Sequence, residues 1–187
     1  MRADAQQNRS EILVAARAMI VEQGLEFSMR ALATRAGVGI ATLLRHFPTK
    51  DELLFALADD NSQILESLVA GTLEKWEEDP QEALRSFCTA ILELNFGALA
   101  VVITSSEAVA PLLQSEQALA VRESIFASLE RLLERAKSEN LIAFEVSPLQ
   151  FYLGLVAVIR PMPQLTEDIV PDYQNWMIDT YLKGIRP

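Results

Sequence analysis

Residue types able to do chemistry are few in this chain and unevenly placed. There is one histidine, His46, and one cysteine, Cys88. A single cysteine allows no intrachain disulfide and no multi-cysteine metal site, and a lone histidine supplies no metal site either. Cys88, between Phe87 and Ile91, reads as a small buried apolar residue rather than a reactive thiol. The acidic runs Asp59-Asp60 and Glu77-Glu78-Asp79 read as solvated helix surfaces or ends, not as paired acid–base groups. No catalytic residue, metal or cofactor is therefore expected. The charge distribution points to a different chemistry. The net charge is −10, yet residues 1–50 carry seven basic side chains (Arg2, Arg9, Arg17, Arg30, Arg35, Arg45, Lys50) against four acidic ones. The remainder carries nine basic against twenty-two acidic. Such asymmetry fits a basic head that faces nucleic-acid phosphate on an acidic body that points away from it.

The elements that must position those side chains are helical. Ile12, Leu13, Ala16, Met19 and Ile20 recur at three- and four-residue spacing, and Gly24 is a natural stop for that helix. No alternating apolar–polar run suggests a strand. Nine helices are expected, over about 8–24, 28–36, 40–46, 50–76, 80–95, 97–106, 111–138, 148–160 and 168–185, with Pro80 in the first turn of the fifth. The informative segment runs from Phe27 to Leu54. Ser28 is a natural N-cap, with Phe27 and Leu32 placed for a hydrophobic staple. Gly37 ends that helix, Gly39 caps the next, and Val38 and Leu43 are placed for a second staple. Two short helices joined by a three-residue turn containing glycine make a helix-turn-helix. Leu32, Ala33, Ala36, Val38, Leu43 and Phe47 are expected to form its core.

The run Ser28-x-Arg30-x-Leu32-Ala33-x-x-Ala36-Gly37-Val38, then Thr42-Leu43, Arg45-His46-Phe47-Pro48 and Lys50-Asp51-Glu52-Leu53, resembles the DNA-binding head of the TetR family over about residues 9–54. The ending from Tyr181 to Pro187 is also similar to the family's. The resemblance implies an all-α, nine-helix architecture: a three-helix helix-turn-helix head over residues 1–50 and a helical effector-binding and dimerisation body over 51–187. It further implies a transcriptional regulator, most simply a repressor released from its operator by a small effector. Ile40, Ala41, Thr42, Leu44, Arg45 and His46 are the outward positions of the second short helix, and the first turn of such a helix lies nearest the base edges of the major groove. By the resemblance Ile40, Ala41, Thr42 and Arg45 contact bases. Arg30 is placed to reach a guanine, and His46 and Lys50 bind phosphate with Ser28 assisting. Two positions depart from the family, which commonly has Gly at 41 and Tyr at 44. Ala41 favours the helix, whereas Leu44 removes a hydroxyl used on the DNA backbone.

In the body, the apolar stripe of helices five to seven is expected to be mostly core. An effector pocket within it is assigned to Phe87, Ile91, Glu93, Asn95, Phe96, Ile103 and Phe126, with Glu93 favouring a cationic ligand if buried. The last two helices are expected to pair with their mates in a homodimer, through Phe151, Leu155, Ile159, Tyr173, Trp176, Met177 and Tyr181. Partners are thus double-stranded operator DNA, a small-molecule effector and a second copy. No membrane partner is expected, since the apolar stretches Phe96–Ile103 and Phe151–Ile159 are too short to span a bilayer. With no signal-like N-terminus, a cytoplasmic location is expected. Two alternatives are an enzyme, for which the residue inventory is poor, and a DNA-binding head on a body that binds another protein.

Overall fold

In the computed structural model the described residues are 2–94, 109–158 and 168–187, with side chains from Gln6 onward. They form helices α1 (Arg2–Gln23), α2 (Met29–Arg35), α3 (Ile40–His46), α4 (Lys50–Glu74), α5 (Pro80–Glu93), α6 (Ala110–Leu113), α7 (Glu116–Ser138), α8 (Pro148–Val158) and α9 (Tyr173–Gly184), and no strand. The expected helix over 97–106 lies outside the described residues.

Most boundaries follow the local chemistry that predicts them. Asp79 caps α5 by accepting from the Glu82 N–H at 3.0 Å, with Pro80 in the first turn, where its missing N–H costs nothing. Ser147 and Gln150 cap α8 reciprocally: Oγ of Ser147 accepts from the Gln150 N–H and Oε1 of Gln150 from the Ser147 N–H. Other boundaries differ from expectation, and α1 already begins at Arg2 rather than at about residue 8. The single helix expected over 111–138 is broken at Gln114–Ser115, because the Ser115 hydroxyl donates back to the Leu112 carbonyl and accepts from the Ala118 N–H, ending α6 and capping α7. The last helix begins at Tyr173 rather than at 168, because Asp172 takes the left-handed conformation (φ 65°) just before it.

The chain forms two compact units. The first holds residues 2–61 and 109–121, and the second holds 62–94, 122–158 and 168–187. The boundary expected at residue 50 falls inside the first unit, because the first turns of α4 bury Leu53, Leu54 and Leu57 there. Within that unit the Arg17 guanidinium on α1 donates to Asp60 at 2.9 Å and to Asn61 at 2.7 Å on α4.

The second unit is organised around buried aromatic rings. Trp76, Phe87 and Phe151 are almost wholly buried, with Leu84, Ile91, Leu132, Leu133, Leu155 and Ile178 around them. Phe87 and Phe151 stack at 6.5 Å, and Tyr181 lies 6.0 Å from Phe151 and donates to its carbonyl at 2.8 Å. Cys88 is fully buried in the same core, and burial pushes its thiol up to about 12, as befits an inert packing residue. Helix α9 packs on α5 and α8, and Arg85 on α5 ties to Asp179 on α9 at 2.8 Å. Gly154 allows the close approach of α8 to α9: a Cβ there would stand 2.6 Å from the Tyr181 ring edge. Since Tyr181 is held by its hydrogen bond, Gly154→Ala is expected to destabilise the protein by about 1–3 kcal/mol through overpacking. Urea denaturation reads this directly, and an unchanged midpoint would mean that the tyrosine swings aside freely.

Candidate nucleic-acid interface

Helices α2 and α3 lie against α1 and against each other. Leu32, Ala33, Leu43 and Phe47 are buried between them, as are Ile12, Leu13, Ala16, Met19 and Ile20 of α1. Ala36 and Val38, also expected in this core, are half-buried. The Ser28 hydroxyl accepts from the Ala31 N–H at 3.1 Å, the cap expected of it. Gly24 and Gly37 take φ near 70°, which turns the chain after α1 and after α2. Gly39 caps α3 through its backbone, since it has no side chain to do so.

With Leu43 and Phe47 facing inward, α3 presents the opposite side to solvent. Ala41, Leu44 and Arg45 are exposed there, and Ile40, Thr42 and His46 are half-buried at its flanks. Leu44 is 41 % exposed. Arg45 donates to the Thr42 hydroxyl one turn earlier at 3.1 Å, so the two polar groups are held as a pair. Ser28 and Arg30 are exposed at the start of α2.

Most basic side chains of the head are committed internally. Arg17 holds Asp60 and Asn61. The Arg9 guanidinium lies 5.6 Å from the centre of the Phe47 ring. Arg35 forks onto Glu22 of α1 at 2.5 and 2.6 Å, and that hydrogen-bonded pair holds the carboxyl below the usual carboxylate range. Lys50 turns inward rather than outward, onto the backbone carbonyls of Leu25 and Phe27. That placement differs from the phosphate-facing one expected from the sequence, and the physical reason is that both carbonyls lie between helices and need a donor. Arg30 and Arg45 make no ion pair among the described residues and remain available.

The family model for bacterial regulatory proteins of the tetR family matches residues 12–57. An HTH-type transcriptional regulator of Staphylococcus aureus strain USA300 is 41% identical over 56 residues, which cover 29% of this chain and 30% of that protein. The likeness of the whole fold reaches further. A TetR transcriptional regulator from Streptomyces coelicolor superposes with a TM-score of 0.66 at 26% identity, over 96% of this chain and 98% of that one. A TetR transcription regulatory protein from Mycobacterium vanbaalenii gives 0.67 at 25% identity, over 100% and 99%. The chain thus carries a TetR-type helix-turn-helix head, and its whole fold is similar to that of TetR transcriptional regulators.

The residues assigned to an effector pocket in the body are scattered. Ile91 is core, Phe126 is half-buried against the core, and Glu93 is exposed at the end of α5 and so creates no buried charge. Asn95, Phe96 and Ile103 lie outside the described residues. Phe87 lines an open groove of about 430 Å³ between the end of α4 and the start of α5. Its other walls, among them Leu68, Gly71, Thr72, Lys75, Glu78, Glu82 and Ala83, were not assigned from sequence. The signal available was the Asp79-Pro80 break, which lets two helices meet with small residues between them.

The dimer assignment also needs correction. Phe151 and Leu155 are buried within the chain, packed against Phe87 and Ile178 in the core, and are not available to a partner. Tyr181 is half-buried, with its hydroxyl engaged. Ile159 lies outside the described residues. Trp176 is 57 % exposed, with Tyr173 ring to ring beside it and Met177 half-buried. The large apolar side chains that α8 exposes are instead Leu149 and Leu153, four residues apart on one face.

The turn between α2 and α3 fixes which way α3 faces, so it is the sensitive point of the head. Gly37→Ala forces a Cβ into a left-handed backbone and is expected to cost about 1–2 kcal/mol. Thermal denaturation of the variant checks this, and no loss of stability would show that the turn relaxes to another conformation.

Proposed function

We propose that the chain is a sequence-specific, DNA-binding transcriptional regulator that works as a homodimeric repressor, released from its operator by a small, largely apolar effector. The observation that carries this reading is the α3 face. A seven-residue helix pinned by Leu43 and Phe47 presents Ala41, Leu44 and Arg45 outward, and Arg30 on α2 and Arg45 on α3 make no ion pair among the described residues. A helix of this kind enters the major groove with its first turns against the base edges. Ile40, Ala41, Thr42, Leu44 and Arg45 then meet bases, and Arg30 forks onto a guanine. His46 at the flank of this face and Ser28 at the start of α2 then bind phosphate. The α2–α3 head acts as the DNA-binding domain, and the residues after it carry effector binding and dimerisation.

A two-fold dimer presents two heads to half-sites about one helical turn apart. The exposed apolar residues Leu149, Leu153 and Trp176 of α8 and α9 support an interface on those helices, with Tyr173 and Met177 at its edge. For the effector, the groove between α4 and α5 offers an apolar floor of Leu68, Ala83 and Phe87 beside polar groups, the mixture that small-molecule sites use. A ligand there shifts the DNA-binding equilibrium only by its differential affinity for two arrangements of the protein. Such a regulator acts on the chromosome, in the cytoplasm. Among the described residues no helix is long and apolar enough to cross a membrane.

Selection of binding sites from random DNA tests this reading. The wild-type protein is expected to enrich an inverted repeat. Because Leu44 and Ile40 donate no hydrogen bond and suit the thymine methyl group, the half-sites are expected to carry thymine at their central positions. Half-sites without thymine there would remove that role from Leu44. Arg45→Ala and Arg30→Ala are each expected to lose about 1–3 kcal/mol of affinity for the selected site and to relax the base preference at one position, with unchanged helix content. Failure of the wild type to enrich any sequence would sink the regulator.

A further inference from the structure

The first residue of α4 carries an ammonium that points into the head. Lys50 Nζ donates to the Phe27 carbonyl at 3.0 Å and to the Leu25 carbonyl, and lies 4.3 Å from the centre of the Phe27 ring. Leu25 and Phe27 belong to the connector between α1 and α2, where no helix satisfies the backbone. Among the described residues neither carbonyl accepts a backbone hydrogen bond, so Lys50 is the donor that serves both. One residue further on, Ser28 caps α2, and Arg30 stands in its first turn. The connector and the head of α4 are thus bolted together by one side chain at the point where α2 begins.

We infer that Lys50 is a positioning residue for DNA recognition: by bracketing the Leu25 and Phe27 carbonyls it fixes the start of α2, and with it Ser28 and Arg30, against the first turn of α4, and it does not itself bind phosphate. Turning outward to a phosphate would break both bonds and strand two partly buried carbonyls, while the aromatic face that favours the cation would be lost with them. Burial already holds the ammonium below the usual lysine range, with nearby Glu26 opposing that effect, which accords with a group seated inward. This inference rests on the DNA-binding reading above.

The test uses the full chain with Lys50→Met, at a temperature where circular dichroism shows it folded. Two quantities are measured: the affinity for the selected operator across a salt series, and amide hydrogen exchange in the DNA-free protein at Ala31 and Leu32, whose N–H groups bond to Ser28. Expected are an affinity about tenfold weaker, a salt slope equal to that of the wild type, and faster exchange at both amides. A merely structural lysine would lower stability and leave the affinity of the folded protein unchanged, and that result overturns the inference. A slope shallower by about 0.9, the signature of one lost phosphate contact, also overturns it. So does unchanged exchange at Ala31 and Leu32, because the bracket would then not hold the turn. If Lys50→Met does not fold, Lys50→Gln, which also removes the charge but keeps a polar head, is read in the same way. If the wild-type protein selects no DNA, the DNA-binding reading fails first, while the exchange experiment still reports on the bracket itself.

Discussion

Helices α2 and α3 are seven residues each, and helices of that length do not persist alone in water. Their existence depends on burying Leu32, Leu43 and Phe47 against the apolar side of α1, each large side chain contributing roughly 1.5–3 kcal/mol. That burial also decides function. Once Leu43 and Phe47 face inward, the 3.6-residue repeat leaves Ala41, Leu44 and Arg45 facing out, with no freedom to choose otherwise. The outward face of α3, proposed above to meet DNA, is the remainder after the core is made. Gly37 sets the angle at which this happens, since only a left-handed residue lets the chain reverse in so few positions.

Charge is handled economically in the head. The basic excess of residues 1–50 first suggests a broad cationic patch, yet most of its side chains are spent on the head itself. Arg35 is tied to Glu22, Arg17 to Asp60 and Asn61, Arg9 to the Phe47 ring and Lys50 to two carbonyls. An exposed pair such as Arg35–Glu22 adds little stability, but it offsets the charge of Arg35. Among the described side chains, Arg30 on one helix and Arg45 on the next are left without an ion pair. A few well-placed guanidiniums favour reading bases over coating phosphates.

In the second unit the aromatic cluster plays the part that Leu43 and Phe47 play in the head. Phe151 is packed by Phe87 and by Tyr181, whose hydroxyl closes on the Phe151 carbonyl. The hydrogen bond, the missing Cβ at Gly154 and the Arg85–Asp179 pair fix α9 on α5 and α8. With the inward faces of α8 and α9 used up in this way, Leu149, Leu153 and Trp176 are what remain outside. Large apolar side chains left exposed on neighbouring helices are the usual sign of a surface meant to be covered.

The sequence by itself determined the helices and the head. Capping residues, prolines and the spacing of apolar side chains act within a few positions along the chain, so Ser28, Gly37, Asp79 and Pro80 mark their boundaries wherever the rest of the chain lies. The motif from Ser28 to Leu53 likewise carries its helix-turn-helix locally. Tertiary structure decided everything that depends on which of two possible partners a side chain meets. Lys50 reads equally well as a phosphate ligand or a backbone donor until the connector carbonyls are brought beside it. Phe151 and Leu155 read as an apolar helix face whether that face meets α5 or a second copy. The break at Ser115 turns on whether a serine hydroxyl bonds backward or outward, a choice that periodicity does not encode. The groove between α4 and α5 exists only because two helices separated by a proline lie side by side. Spacing along a chain reports local geometry; the competition between distant partners is settled only by packing.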